Sequence, residues 1–184
     1  MSEGTNVKVI LSELDGDEEL CTQVLKLLED NWDTYKSNGL SGHIITDDDV
    51  NFIDVRSIEP NKGRRVDADQ KAVIIVYEES ANLDHPTIDW GVRNEEYTFT
   101  VHLRVLHQPS WGELTFSRDR LQSLYQIVRS IIEKKGLRPK VVVNNNTYTA
   151  DLIEITGRNE ANDRGKRLLG YKMSVTMKRF GRTT

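Results

Sequence analysis

The stretch Tyr97-Thr98-Phe99-Thr100-Val101-His102-Leu103-Arg104-Val105-Leu106 alternates large apolar with polar side chains almost without error. A period of two places the apolar set on one face, the pattern of a strand buried on one side. Its length makes it the expected central strand. After a turn carrying Pro109, Ser110 and Gly112 the period changes, and Leu121, Leu124, Tyr125, Val128, Ile131 and Ile132 recur three and four apart. That spacing lines one face of a helix over residues 117–135. A long strand and an amphipathic helix each supply the apolar surface the other must cover, so the two form a packing unit. They carry no catalytic motif.

Upstream, Asp15-Gly16-Asp17-Glu18-Glu19 offers a helix cap with acidic groups at the positive end of the dipole. Leu20, Val24, Leu27 and Leu28 form the buried stripe of a first helix, Cys21, Leu25 and Trp32 widen it, and Ser37-Asn38-Gly39 ends it. Gly42, His43 and Asp47-Asp48-Asp49 then lead into a strand at residues 51–58, closed by Pro60. The charged linker at 61–70 is expected to extend a hairpin. Ala72-Val73-Ile74-Ile75-Val76 is a continuous apolar run that suits a strand covered on both faces or one at a subunit contact. Residues 78–94, with His85, Pro86, Trp90 and Gly91 and no clear period, read as a long excursion before the central strand.

Downstream, Lys134 and Lys135 sit in the last helical turn, with Gly136 in the C′ position and Pro139 beyond it. Val141-Val142-Val143, a turn at Asn144-Asn145-Asn146 and residues 147–156 have the grammar of a hairpin. In the last strand Leu169, Tyr171, Met173, Val175 and Met177 alternate with Lys172, Ser174, Thr176 and Lys178. The expected architecture is one α+β domain spanning 1–184, a mostly antiparallel β-sheet with two amphipathic helices packed on it. Long loops are expected at about 40–50, 78–94 and 157–167.

A chain of 184 residues is near the usual size of one domain and can bury a sizeable core. A net charge of -4 argues against a surface that grips nucleic acid as a whole. The lone Cys21 cannot close an internal disulfide and reads as core in a reducing compartment. Met1-Ser2-Glu3-Gly4 has no cationic segment followed by an apolar run, and no apolar stretch is long enough to cross a bilayer. A soluble, cytoplasmic protein with no membrane partner is expected.

Chemistry-bearing patterns are sparse. Asp47, Asp48 and Asp49, joined by His43 or Asp54, could take a divalent cation, but neighbouring residues of an extended chain point in opposite directions and the EF-hand glycine and distal glutamate are missing. A solvated acidic loop is the plainer account. His85, His102 and His107 show no metal-ligand spacing, and His102, on the polar side of the central strand, reads as an ordinary surface histidine. Asp151 and Glu154 lie three apart on a strand with Thr156 where a metal-dependent nuclease would need its lysine. Glu133 and Lys135 have the right spacing but end a helix. Phosphate-binding glycine loops and nucleophile elbows are absent from the sequence, and no catalytic residue, cofactor or metal site is assigned. Arg158, Arg164, Lys166 and Arg167 concentrate positive charge between the last two strands, while the N-terminal half is acidic. Such asymmetry serves head-to-tail association, and these four residues are the candidate subunit or channel contacts.

The order of an N-terminal amphipathic helix, strands including Lys71-Ala72-Val73-Ile74-Ile75-Val76, the central strand, the second helix, and a strand pair ending in Gly170-Tyr171-Lys172-Met173-Ser174-Val175-Thr176-Met177 resembles the tail terminator, or tail completion, proteins of long-tailed bacteriophages and related viruses. The resemblance covers most of the chain. The acidic loop before Phe52 and the segment 78–94 are larger than a minimal member needs. What the resemblance implies is a non-enzymatic virion subunit, a hexameric ring that caps the tail tube, stops its polymerisation and meets the head-tail connector protein. DNA would pass through its channel without sequence-specific binding, and the ring would be assembled in the host cytoplasm and reside in the tail or neck. A neck connector acting as stopper or adaptor, a metal-dependent nucleic-acid enzyme using Asp47, Asp48 and Asp49, and a small cellular adaptor domain are the other readings open at this point.

Overall fold

The computed structural model describes residues 20–42, 45, 50–54, 72–84, 93–106, 114–143, 145–162 and 167–182. In chain order they form α1 (Leu20–Tyr35), a short 3-10 turn at Lys36–Asn38, β1 (Val50–Asp54), β2 (Ala72–Asp84), β3 (Arg93–Leu106), α2 (Leu114–Lys135), β4 (Lys140–Val143), β5 (Asn146–Thr149), β6 (Leu152–Glu160) and β7 (Leu168–Arg182). Five strands make one sheet in the order β1-β2-β3-β7-β6, and β4 and β5 pair separately. The fold is α+β, with antiparallel pairing everywhere except between β1 and β2.

The alternation in β3 sets the layers. Tyr97, Phe99, Val101, Leu103 and Val105 are all buried in the core, and their partners on either side, Ile74 opposite Leu103 and Met173 opposite Val101, continue the same face. Both helices cover that face: α1 packs on β1, β2 and β4, α2 on β3, β6 and β7, and the helices touch each other. Leu124, Ile127, Val128, Ile131 and Ile132 of α2 are almost fully buried. Burying each such side chain contributes about 1.5–3 kcal/mol of transfer free energy, so α2 is held chiefly by its apolar stripe. Trp32 closes the other side, with its indole N–H donating to the carbonyl of buried Ile45 at 3.0 Å.

Several expectations are corrected. Val50 pairs with Ala72 and Asp54 with Val76 in parallel, so residues 55–71 do not close a hairpin between β1 and β2. Parallel neighbours need a crossover, and a polar linker of that length looks the same in either case. The excursion expected from 78 is mostly strand: β2 runs on to Asp84, opposite Asn94, with a register shift between Glu78 and Ser80. Its residues have modest strand propensity, and the ladder with β3 overrides that. Residues 147–156 are two strands, because β5 stops at Thr149 and the chain changes sheets before β6. β6 in turn claims residues 157–160 of the loop expected at 157–167. The cap expected at 15–19 and the acidic cluster at 47–49 lie outside the described residues.

Gly136 directly follows the last residue of α2, as expected, while the left-handed conformation belongs to Arg138, at φ 48°. Gly136 is where the helix end meets β6, its carbonyl accepting from the Ile153 N–H at 2.7 Å and its N–H donating to Ile132 O at 2.8 Å.

At the far end of the same core face lies a polar cluster. Glu95, on the same side of β3 as Tyr97 and Phe99, is buried, and so is Gln23 of α1. Arg179 of β7 stands opposite Glu95, with Nη1 3.7 Å from Glu95 Oε2, and donates through Nη2 to Gln23 Oε1 at 2.7 Å. The Tyr97 hydroxyl donates to Glu95 Oε2 at 3.2 Å. These bonds tie α1 to the sheet by polar contacts beside buried Leu20, Cys21 and Val24.

Candidate assembly surface

Of the four predicted contact residues, Arg158 and Arg167 are described, and Arg164 and Lys166 lie outside the described residues. Arg158 owes its place to a bulge. Up to Ile155 the odd-numbered residues of β6 face the helices, Ile153 opposite Met177 and Ile155 opposite Val175. The register slips between Ile155 and Gly157, after which Arg158 stands opposite Met173, and Glu160 opposite Tyr171, on the helix side. An unbroken alternation would have sent Arg158 to the other face.

On that side the exposed Arg158 lies over two rings of the core's edge. Its Cζ is 4.5 Å from the centroid of Tyr125 of α2 and 4.7 Å from that of Tyr171 of β7. The rings meet edge to face at 5.8 Å and 71°, and the Tyr171 hydroxyl donates to Gln122 Oε1 at 3.4 Å. Each cation–π contact at such an exposed place contributes about 0.5–1 kcal/mol, enough to hold the guanidinium in position with its outer donors available. Beside it opens a groove of about 270 Å³ lined by Arg118, Leu121, Glu160, Asn162, Leu169 and Tyr171. Its rim is held by three hydrogen bonds: Ala161 N–H donates to Gly170 O at 2.9 Å, Gly170 N–H to Asn162 Oδ1 at 3.1 Å, and Asn162 Nδ2 to Glu160 Oε2 at 3.3 Å. Arg167, at φ 53°, stands just before β7. The groove thus sets one arginine, one carboxylate and one amide around Leu121, Leu169 and Tyr171, with the Arg158 guanidinium against the Tyr171 ring.

The groove borders an outer edge of the sheet, because β6 is the last strand in the order. The start of β6 is covered by the chain after α2, through Gly136 and a bridge between Leu137 and Leu152. There a second, more apolar groove of about 230 Å³ is lined by Ile132, Glu133, Leu137 and residues 152–155, with Leu137 73% exposed. Its two carboxylates are already engaged, Glu133 by Arg129 Nε at 2.6 Å and Glu154 by Lys178 Nζ at 2.7 Å. Asp151 accepts from the Phe180 N–H at 2.7 Å, so the Asp151 and Glu154 pair is divided between separate structural contacts.

His102 departs from expectation: it is buried, in a row with buried Ile75 on β2 and Lys172 on β7. Burial, with Arg104 and Lys172 adding repulsion, lowers its pKa from 6.5 to about 4. The Arg104 Nε–H donates to its Nδ1 at 3.2 Å, a bond that needs the neutral ring. Gly170 leaves space for the imidazole, since a Cβ there would lie 3.0 Å from His102 Nε2. The unfolded chain therefore takes up the proton first as pH falls. Stability is complete above pH 6.5 and is lost towards pH 4, by on the order of 2 kcal/mol after allowance for residual solvation. Denaturant melts from pH 7 to pH 4 test this, and a His102→Gln variant should lose that part of the slope; an unchanged slope would assign it to other groups.

Among the described residues no three His, Cys, Asp or Glu side chains gather where they could hold a metal ion. Cys21 is buried, as expected. None of the described helices is long and apolar enough to cross a membrane. Compared with known proteins, the chain matches no family model and no curated protein.

Proposed function

We propose that this chain is a structural virion subunit, a ring-forming tail terminator that caps a tail tube, stops its polymerisation and joins it to the head connector. The observation that carries the proposal is the pair of unlike outer edges of the sheet. One is the short β1, on a parallel neighbour, and the other is the long β6, bordered by a fixed guanidinium and a groove that carries both an arginine and a glutamate. A subunit of a closed ring needs two different patches in heterologous contact, and an open strand edge beside a charged groove suits one of them. The order of elements that resembles the tail terminators supports the same reading. The hexamer, its tube and connector partners, DNA passage without sequence-specific binding and a place in the virion tail or neck belong to it, and no catalysis does.

Negative-stain electron microscopy of the purified protein, paired with solution mass over a wide concentration range, tests the proposal. Closed rings are the expected result. Charge reversal of Arg164, Lys166 and Arg167 together should then block assembly and leave the far-ultraviolet circular dichroism of the monomer unchanged. A triple variant that assembles like the wild type would remove this connection from the contact.

A further inference from the structure

β6 ends the sheet, and among the described residues no strand pairs with its outer side. The chain after α2 covers only its start, where the Ile153 N–H donates to Gly136 O and Leu137 bridges Leu152. Farther along, Thr156, Arg158, Asn159 and Glu160 are exposed. One bond fixes the backbone direction there: Ala161 donates its N–H inward, to Gly170 O of β7 at 2.9 Å. Residues of an antiparallel strand bond alternately to one side and the other. Asn159 therefore bonds to β7, and Arg158 and Glu160 turn their N–H and C=O to the open side. Both of their side chains stand on the helix side of the sheet, opposite Met173 and Tyr171.

We infer that this edge pairs with β6 of a second copy, antiparallel about a two-fold axis through Asn159, so that one sheet continues across both copies. In that register Arg158 of each copy stands opposite Glu160 of the other. Outward-bonding residues then face each other, each of the two pairs exchanging both backbone bonds, and unlike charges meet twice on the helix side. An axis through Arg158 would set arginine against arginine, and one through Glu160 glutamate against glutamate. Charge therefore selects both the register and the occupant. Edges that guard against pairing carry like charges, commonly lysine, that repel a second copy, whereas an arginine and a glutamate two apart on one side are self-complementary. Arg158 is held in advance by the rings of Tyr125 and Tyr171, so little side-chain freedom is lost when the carboxylate arrives. The inference does not depend on the ring reading: it names what covers this edge in a subunit outside a ring. Entry into a ring would exchange the second β6 for a neighbour's unlike patch.

Full-length chains test the pairing by sedimentation and by cross-linking. The wild type should reach twice the single-chain mass. Arg158→Glu and Glu160→Arg should each weaken association about tenfold, because each sets like charges opposite one another twice. An equimolar mixture of the two should recover the wild-type mass, since unlike charges then meet again, and the recovery also shows that both variants fold. Asn159 faces itself across the axis in a non-hydrogen-bonded pair, with Cα atoms about 4.5 Å apart, within disulfide reach. Asn159→Cys should therefore give a linked pair on mild oxidation, and Thr156→Cys, whose counterpart lies several residues away, should not; the native Cys21 is buried. A wild type of single-chain mass at every concentration, single variants that associate like the wild type, or a mixture that does not recover overturns the pairing. Rings without a cross-link through Asn159→Cys overturn it and leave the ring reading standing. Cross-linked pairs without rings uphold it and count against the ring reading alone.

Discussion

Replacing Gly136 by alanine is expected to destabilise the protein by about 3–5 kcal/mol, a large effect for one methyl group. The added Cβ would stand 2.0 Å from the carbonyl oxygen of Ile153 and 2.5 Å from that of Ile132. Both are backbone atoms, so no side chain can rotate away, and relief requires the end of α2 to move off β6. That movement breaks the Ile153 N–H bond to Gly136 O and opens the Leu137–Leu152 bridge that covers the start of the edge strand. For a chain of 184 residues each kcal/mol corresponds to about 2–4 °C in Tm, so a fall on the order of 10 °C should be seen. Gly157→Ala is the internal comparison. Its Cβ would lie 3.8 Å from Ser174, ordinary contact, and the change should stay within about 0.5 kcal/mol. Equal denaturation midpoints for the two variants would mean that the helix end yields freely.

Removing the Glu95 carboxylate with Glu95→Ala should cost about 3–5 kcal/mol, because Arg179, whose side chain is only 14% exposed, would keep its charge while this carboxylate is lost from beside it. The Tyr97 hydroxyl would lose its bond to the same oxygen. Glu95→Leu with Arg179→Met should be far milder than the sum of the single changes, since two desolvated charges leave together and similar volumes remain. A double-mutant cycle by urea denaturation measures the difference. Strict additivity would show that the two groups do not interact. Loss of Gln23's bond to Arg179 should accompany either disruption, and the N-terminal turn of α1 should gain hydrogen exchange.

Part of this core was legible from periodicity. Tyr97 to Val105 and Leu169 to Met177 alternate cleanly, and both sets line the core face. The stripes of both helices are equally plain, and Ile127, fully buried, widens that of α2 beyond Leu124 and Val128. The cluster around Glu95 carries a signal in the sequence: Glu95 is in phase with Tyr97, and Arg179 with Met177. Two opposite charges in phase with adjoining apolar faces predict an ion pair if the strands are neighbours, and neighbourhood is not a local property.

The candidate surface divides the same way. That Arg158 and Arg167 belong to a basic segment could be read directly, whereas the ring stacking of Arg158 could not. It depends on a one-residue slip between Ile155 and Gly157, and a bulge costs so little locally that the flanking residues do not announce it. His102 lies in the polar phase of β3, but phase does not fix exposure: the strands on both sides shield it and Gly170 makes room for its ring.

Local pattern was sufficient for the class, the two helices, the central and last strands and the separation of acidic from basic segments, because those follow from which side chains avoid water within a few residues. The parallel direction of β1, the extension of β2 to Asp84 and the sheet order were settled by packing between distant segments. Strand direction and order are chosen by which apolar faces complete one core, a condition on the whole chain that no short stretch contains.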